Sequence, residues 1–213
     1  MQLRRTAFRN VLWFAIALGL SACSGIIATG PPPNLYNLTP KSVFSDDLPK
    51  VEAQIVVAEP LAAGGLDSNR IALRPTSTEL KYYARARWTE RAPKMIQTLL
   101  VESLENSNRI VSVGRQAIGL RSDYDLKTEL REFQAEYFGS AGDNPNIRVR
   151  LNSKIIAQPR QTIIASRSFE SYLPAPGSDI GSIVVGFDEA LGKVLKHTVE
   201  WTLVTVATRE ARR

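Results

Sequence analysis

Between residues 34 and 174 apolar and polar positions alternate in short runs, the period-two signature of strands with one buried face. Asn34–Thr39, Val51–Ala58, Arg70–Arg74, Glu79–Tyr83 and Arg109–Val113 each read as a strand. They are separated by a polar loop over 41–50, by Glu59-Pro60, by a turn over 62–67 containing Gly64-Gly65, and by Pro75. Tyr124, Leu126, Thr128 and Leu130 alternate, and Phe133, Ala135 and Tyr137 continue in the opposite phase, so one extra residue between 130 and 133 predicts a β-bulge. Beyond a hairpin loop over 139–146, Ile147, Val149, Leu151, Ser153 and Ile155 alternate against Arg148, Arg150, Asn152 and Lys154, a strand with one wet face. Gln158-Pro159-Arg160 turns the chain into a last strand, Ile163–Tyr172.

Two stretches change period. Met95, Ile96, Leu99, Leu100, Ser103 and Leu104 recur at three and four, one stripe of a helix that starts at Thr89 or Ala92, accepts Pro93 in its first turn and ends near Asn106-Ser107-Asn108. Phe187, Ala190, Leu191, Val194, Thr198, Trp201, Thr202 and Thr205 share a face of a second helix, from Ile183 or Phe187 to Thr205. Arg209, Arg212 and Arg213 follow, matching the negative helix end. Strands joined by short turns imply antiparallel pairing. The expected class is α+β: two layers, a mainly antiparallel sheet with two long amphipathic helices on one face.

The N-terminus follows another rule. Arg4, Arg5 and Arg9 precede ten apolar residues, Val11–Leu20, then Ser21-Ala22-Cys23. A basic region, a short apolar core and small residues describe an export signal, too short to span a bilayer. Leu20-Ser21-Ala22-Cys23 resembles the bacterial lipobox, which makes residues 1–22 a lipoprotein signal peptide. The Cys23 sulfur would take a diacylglyceryl group as a thioether, and the freed amine a further acyl chain. Two or three chains make a lasting anchor where one does not. By the lipobox sorting rule, Ser24 rather than Asp after the cysteine implies the outer membrane, with the domain on its periplasmic face. Residues 23–33, ending in Pro31-Pro32-Pro33, read as an acylated cysteine and stiff tether ahead of a domain over 34–208.

Charge then changes the picture. The chain carries 27 basic and 21 acidic side chains, net +6. Removing Arg4, Arg5 and Arg9 leaves 24 against 21, which weakens the case for nucleic-acid binding. One cysteine excludes an internal disulfide, and one histidine with one cysteine leaves little for a zinc or copper site. The chain has no phosphate-binding glycine loop, no H-E-x-x-H and no G-x-S-x-G, so catalysis is not expected, nor any cofactor beyond the acyl chains on Cys23. His197 stands alone in the second helix. Arg85, Arg87, Arg91 and Lys94 crowd the start of the first helix, where positive charge opposes the dipole by ~0.3–1 kcal/mol each when exposed. They are candidates for contact with an acidic partner or lipid headgroups, against the plainer reading of a solvated face.

Four stretches together resemble the ABC-type transport auxiliary lipoprotein family. They are Leu35-Tyr36-Asn37-Leu38-Thr39-Pro40; Val57-Ala58-Glu59-Pro60-Leu61-Ala62 with Gly65-Leu66-Asp67 and Arg70-Ile71-Ala72-Leu73; Leu80 with Tyr82-Tyr83-Ala84 and Ala86-Arg87-Trp88; and Leu126, Glu129-Leu130 and Phe133 with Phe187-Asp188, Ala190-Leu191 and Trp201. The resemblance implies a non-enzymatic lipoprotein. It would work with an ABC ATPase, a permease and an Mce-domain protein to move lipids between inner and outer membranes, and it leaves room for a homo-oligomer. A structural or regulatory envelope lipoprotein, activating a cell-wall enzyme or an outer-membrane assembly factor, fits the same leader and tether. Radiolabelled palmitate should enter the wild-type protein and not Cys23→Ala; equal labelling of the two would remove the lipobox reading.

Overall fold

The computed structural model describes residues 31–115, 121–138 and 144–212. The expected signal peptide, Cys23 and the expected tether up to residue 30 lie outside the described residues. One compact unit covers Pro33–Arg213. In chain order its elements are β1 (Asn34–Tyr36), β2 (Val51–Val57), β3 (Leu61–Ala62), β4 (Arg70–Arg74), β5 (Lys81–Trp88), α1 (Ala92–Asn106), β6 (Ile110–Arg115), β7 (Tyr124–Glu136), β8 (Asn146–Ala157), β9 (Thr162–Pro174) and α2 (Ile180–Glu210). The class is α+β, as the periodicities imply.

All nine strands belong to one sheet organised by β7. One edge of β7 pairs antiparallel with β8 along its whole length, and β8 pairs antiparallel with β9. The other edge is shared in sequence by three shorter strands, each parallel to it: Ile55 stands opposite Tyr124, Leu61 opposite Glu129 and Ala72 opposite Gln134. β6 extends the sheet beyond β2, and β5 and then β1 extend it beyond β4. The two long ladders are therefore antiparallel as expected. Five shorter pairings are parallel, which the short-turn argument missed. The reason is connectivity: β2, β3 and β4 reach β7, and β2 reaches β6, only through the crossover that contains α1, β1 reaches β5 through β2 to β4, and crossovers produce parallel neighbours.

The phase change in β7 is a bulge. Leu130 faces Leu151 and Glu132 faces Arg150, so Arg131 is the extra residue, and it is exposed. Tyr124, Leu126 and Leu130 before it and Phe133 and Ala135 after it all point into the core. On β8 the apolar series from Ile147 to Ile155 is buried while Arg148, Arg150, Asn152 and Lys154 line the open face. β5 runs on to Trp88, past the expected end at Tyr83. Its pairing with β4 jumps from Tyr82 opposite Ala72 to Arg87 opposite Arg70, and within that bulge Arg85 has φ 54°.

Both helices cover one face. α1 buries the predicted stripe, and Gln97 Nε2 donates to the Val57 carbonyl oxygen at 2.9 Å, fastening the helix over β2. α2 begins three residues before Ile183 because Asp179 caps it, accepting the Ser182 N–H at 3.1 Å. The Ser182 hydroxyl and N–H hold the Asp179 carboxyl below its ordinary value. The layers meet at three aromatic rings. Trp88 of β5, Phe133 of β7 and Phe187 of α2 have centroids 5.0–5.6 Å apart and are at most 2% exposed. Such contacts add ~0.5–1.5 kcal/mol per pair beyond area burial.

Two glycines of α2 separate packing from propensity. A Cβ on Gly186 would lie 2.8 Å from Ile147 Cγ1 and 3.3 Å from the Ala175 Cα, while one on Gly192 meets nothing within 4 Å. In urea titrations Gly192→Ala should raise the unfolding free energy by about 1 kcal/mol, and Gly186→Val should lower it by about 1–3 kcal/mol.

Candidate functional site

The four basic residues singled out above do not form a free cationic cluster. Arg91 precedes α1 and bridges two loops, its guanidinium pairing with Glu59 after β2 and Asp67 before β4. The cation that should oppose the helix dipole is neutralised and works as a clasp. Arg87 donates to the Ala86 carbonyl oxygen at 2.9 Å. Arg85 is exposed and Lys94 half-buried. Near them, Arg70 stacks on the Tyr82 ring with its Cζ 3.6 Å from the centroid, and the Tyr82 hydroxyl donates to the Gly65 carbonyl oxygen at 3.0 Å. Cys23 lies outside the described residues.

An open groove of about 600 Å³ lies between the 45–48 loop, β9 and α2. Phe169 and Trp201 meet in it edge to face at 5.5 Å, with Val204 beside them and Arg167, Glu170 and His197 at the rim. A second hollow of about 420 Å³ shares Val204 and continues past Ile163 and Ile164 to Arg209 and Arg212. Among the described residues β9 pairs only with β8, so its outer edge faces this trough with unpaired backbone groups. Glu200 holds the loop to the helix: it accepts the Ser45 N–H at 3.0 Å and the Ser45 hydroxyl at 2.8 Å, and pairs with Lys196. Burial pushes the Glu200 carboxyl up, but the bonds from Lys196 and Ser45 outweigh it and hold the group below its ordinary value.

Periodicity placed Trp201 on the core face, and it is only half-buried. Among the described residues its partner strand is the sheet's last, and no further strand covers the outer side of the ring. That information belongs to strand order rather than to local pattern. His197 is exposed on the groove rim.

The open face of the sheet carries an ionic lattice. Arg150 Nη2 donates to Glu132 Oε1 at 2.9 Å, Arg148 Nε to Glu170 Oε1 at 2.7 Å, and Gln134 Nε2 to Glu136 Oε1 at 2.9 Å. Arg74 lies 3.8–3.9 Å from Glu132 and Glu136. Burial works against the Arg148 charge, but the bond to Glu170 and the fields of Glu136 and Glu132 raise its pKa above the ordinary value. Tyr83 and Tyr137 share a hydroxyl–hydroxyl bond of 2.9 Å, and burial, with that bond, keeps the Tyr83 phenol protonated far into the alkaline range. No group of three or more metal-ligating side chains occurs among the described residues, and none of their helices is long and apolar enough to cross a membrane.

The family model described as the ABC-type transport auxiliary lipoprotein component matches residues 36–198. The chain belongs to this family. The crystal structure of protein XCC0632 from Xanthomonas campestris is 33% identical and superposes with a TM-score of 0.78, over 84% of this chain and 99% of that one. A second crystal structure, of an uncharacterized protein, shares the fold at 15% identity and a TM-score of 0.58, over 84% of this chain and 99% of that one. The uncharacterized protein bll6063 of Bradyrhizobium diazoefficiens is 24% identical over 156 residues, 73% of this chain and 41% of its own length. The chain thus spans less than half of that curated relative. That family is described as the auxiliary lipoprotein component of ABC-type transport.

The Glu200 bonds make the loop clasp pH-dependent with a definite sign. A carboxyl depressed in the folded state contributes fully above its unfolded value near ~4.3, and the contribution fades as the pH falls through the folded value. Glu200→Gln should therefore cost about 1 kcal/mol at neutral pH, and in urea titrations that difference should shrink as the pH falls below the unfolded value of ~4.3.

Proposed function

We propose that this lipoprotein is the docking component of an Mce-type ABC transporter that moves lipids between the inner and outer membranes. In this reading Cys23 is the acylated residue and the outer membrane carries it, with the domain in the periplasm. Its partners are an Mce-domain protein and the permease and ATPase of the same system. The chain performs no chemistry of its own: energy comes from the ATPase, and the folded domain supplies shape and attachment. Nucleic acid has no part in it.

The observation that carries the reading is the family match across residues 36–198. The trough beside β9 supports it, because a thirteen-residue edge strand flanked by Phe169, Trp201 and Val204 suits an extended protein segment. Main-chain hydrogen bonds along such an edge give affinity, and side chains in the adjoining hollows give selectivity. A ring of copies remains open to the same edge.

The test is isolation of the acylated full-length protein from its native membranes in mild detergent, followed by mass spectrometry of what accompanies it. The expected companions are an Mce-domain protein, a permease and an ATPase. Recovery of a cell-wall synthase or an outer-membrane assembly factor in their place would overturn the reading.

A further inference from the structure

One end of the sheet differs from the rest of the surface. The pairings Leu73 with Lys81, Arg74 with Glu136, Glu136 with Asn146 and Asn146 with Pro174 define a transverse row at that end. Four aromatic rings gather there. Tyr83 and Tyr137 are joined through their hydroxyls, Phe138 lies under the Arg74 guanidinium at 5.5 Å, and Tyr172 lies under that of Arg148 at 5.9 Å. Tyr137 is 37% and Tyr172 50% exposed. Arg85, on the flank of this end, is exposed and has no acidic partner among the described residues.

The chain enters the domain toward the same end. β1 runs parallel to β5 with Asn34 opposite Ala86 and Tyr36 opposite Trp88, so its first residue is the one nearest the Lys81 end. From Cys23 to Asn34 the backbone reaches at most about 40 Å. A compact unit of this size has a diameter of about 40 Å. The direct path from Asn34 to a bilayer is therefore past the Lys81 end, and presenting the opposite end would require the tether to reverse over most of its length. Tyrosine rings with an apolar body and a polar tip, mixed with arginines, suit the headgroup layer, where one end of a side chain is dry and the other wet.

We propose that this end, with Tyr83, Tyr137, Phe138, Tyr172 and Arg85, rests in the headgroup layer of the membrane that holds the lipid anchor, and that the β8–β9 turn points away from it. The contact fixes the orientation of the docking trough, which runs alongside β9 from Glu170 to the strand's start at the β8–β9 turn. The inference rests on the acylation of Cys23 proposed above.

Acylation consumes the native thiol, so an introduced cysteine is the only free one in the mature protein. Acylated full-length protein carrying Thr76→Cys, in the β4–β5 connection, or Arg160→Cys, in the β8–β9 turn, is labelled with an environment-sensitive fluorophore. Each is reconstituted on vesicles of phosphatidylethanolamine and phosphatidylglycerol brominated near the headgroup. The two positions are separated by the length of β8, roughly 36 Å, so the Thr76→Cys probe should be quenched at least about threefold more than the Arg160→Cys probe. Equal quenching, or stronger quenching of the Arg160→Cys probe, overturns the orientation while the protein still sediments with the vesicles. Failure to sediment at all overturns the anchor reading, and the orientation with it. Both positions are exposed and outside the core, so neither label disturbs the fold.

Discussion

The hydrogen-bond ladder on the two edges of β7 is the constraint on which the rest of the molecule depends. One edge is satisfied by a single long partner and the other by three short ones, so that strand is both the centre of the sheet and the place where the two halves of the chain meet. Removing any of its partners would expose backbone N–H and C=O groups in a sheet covered by helices on one side. The Arg131 bulge lets one strand serve both halves. It shifts the phase between Leu130 and Phe133, so the apolar residues on either side of it reach the same core although the simple alternation is broken.

Local pattern revealed much of this. The stripe from Met95 to Leu104, the wet and dry faces of β8, and the bulge in β7 are all visible as periods in the chain, because each is set by a residue's immediate neighbours. The parallel attachment of β2, β3 and β4 to β7 is not visible that way. It depends on where a crossover lands, and the run over 51–55 has the same alternation whichever way its partner points. β3 is hidden for a related reason. Leu61 and Ala62 pair only because Glu129 and Leu130 lie beside them, and in isolation they belong to a glycine-rich turn.

The candidate site divides along the same line. A lipobox is read by enzymes along the chain, so the resemblance of Leu20 to Cys23 to one is legible in sequence alone, and it lies outside the described residues. The role of Arg91 depends on distant partners. Its place before a helix suggests an exposed cation, and only the folded chain brings Glu59 and Asp67 against it. The trough is a consequence of order within the sheet. β9 has no outer neighbour among the described residues, and Trp201 is left half covered as a result.

The segment between β1 and β2 is held at two points on α2. Thr39 donates its N–H and hydroxyl to Asp188 at 2.7 and 2.9 Å, and Ser45 is held by Glu200. Mechanical load arriving through the residues before Pro33 meets β1 first, along its own axis, in shear against β5. Bonds loaded in shear share the force and must break together instead of unzipping singly. Any force that passes β1 is then handed to a thirty-one-residue helix packed across the sheet. Load applied at the N-terminal strand is thus spread over the sheet and the long helix before it reaches the rest of the domain.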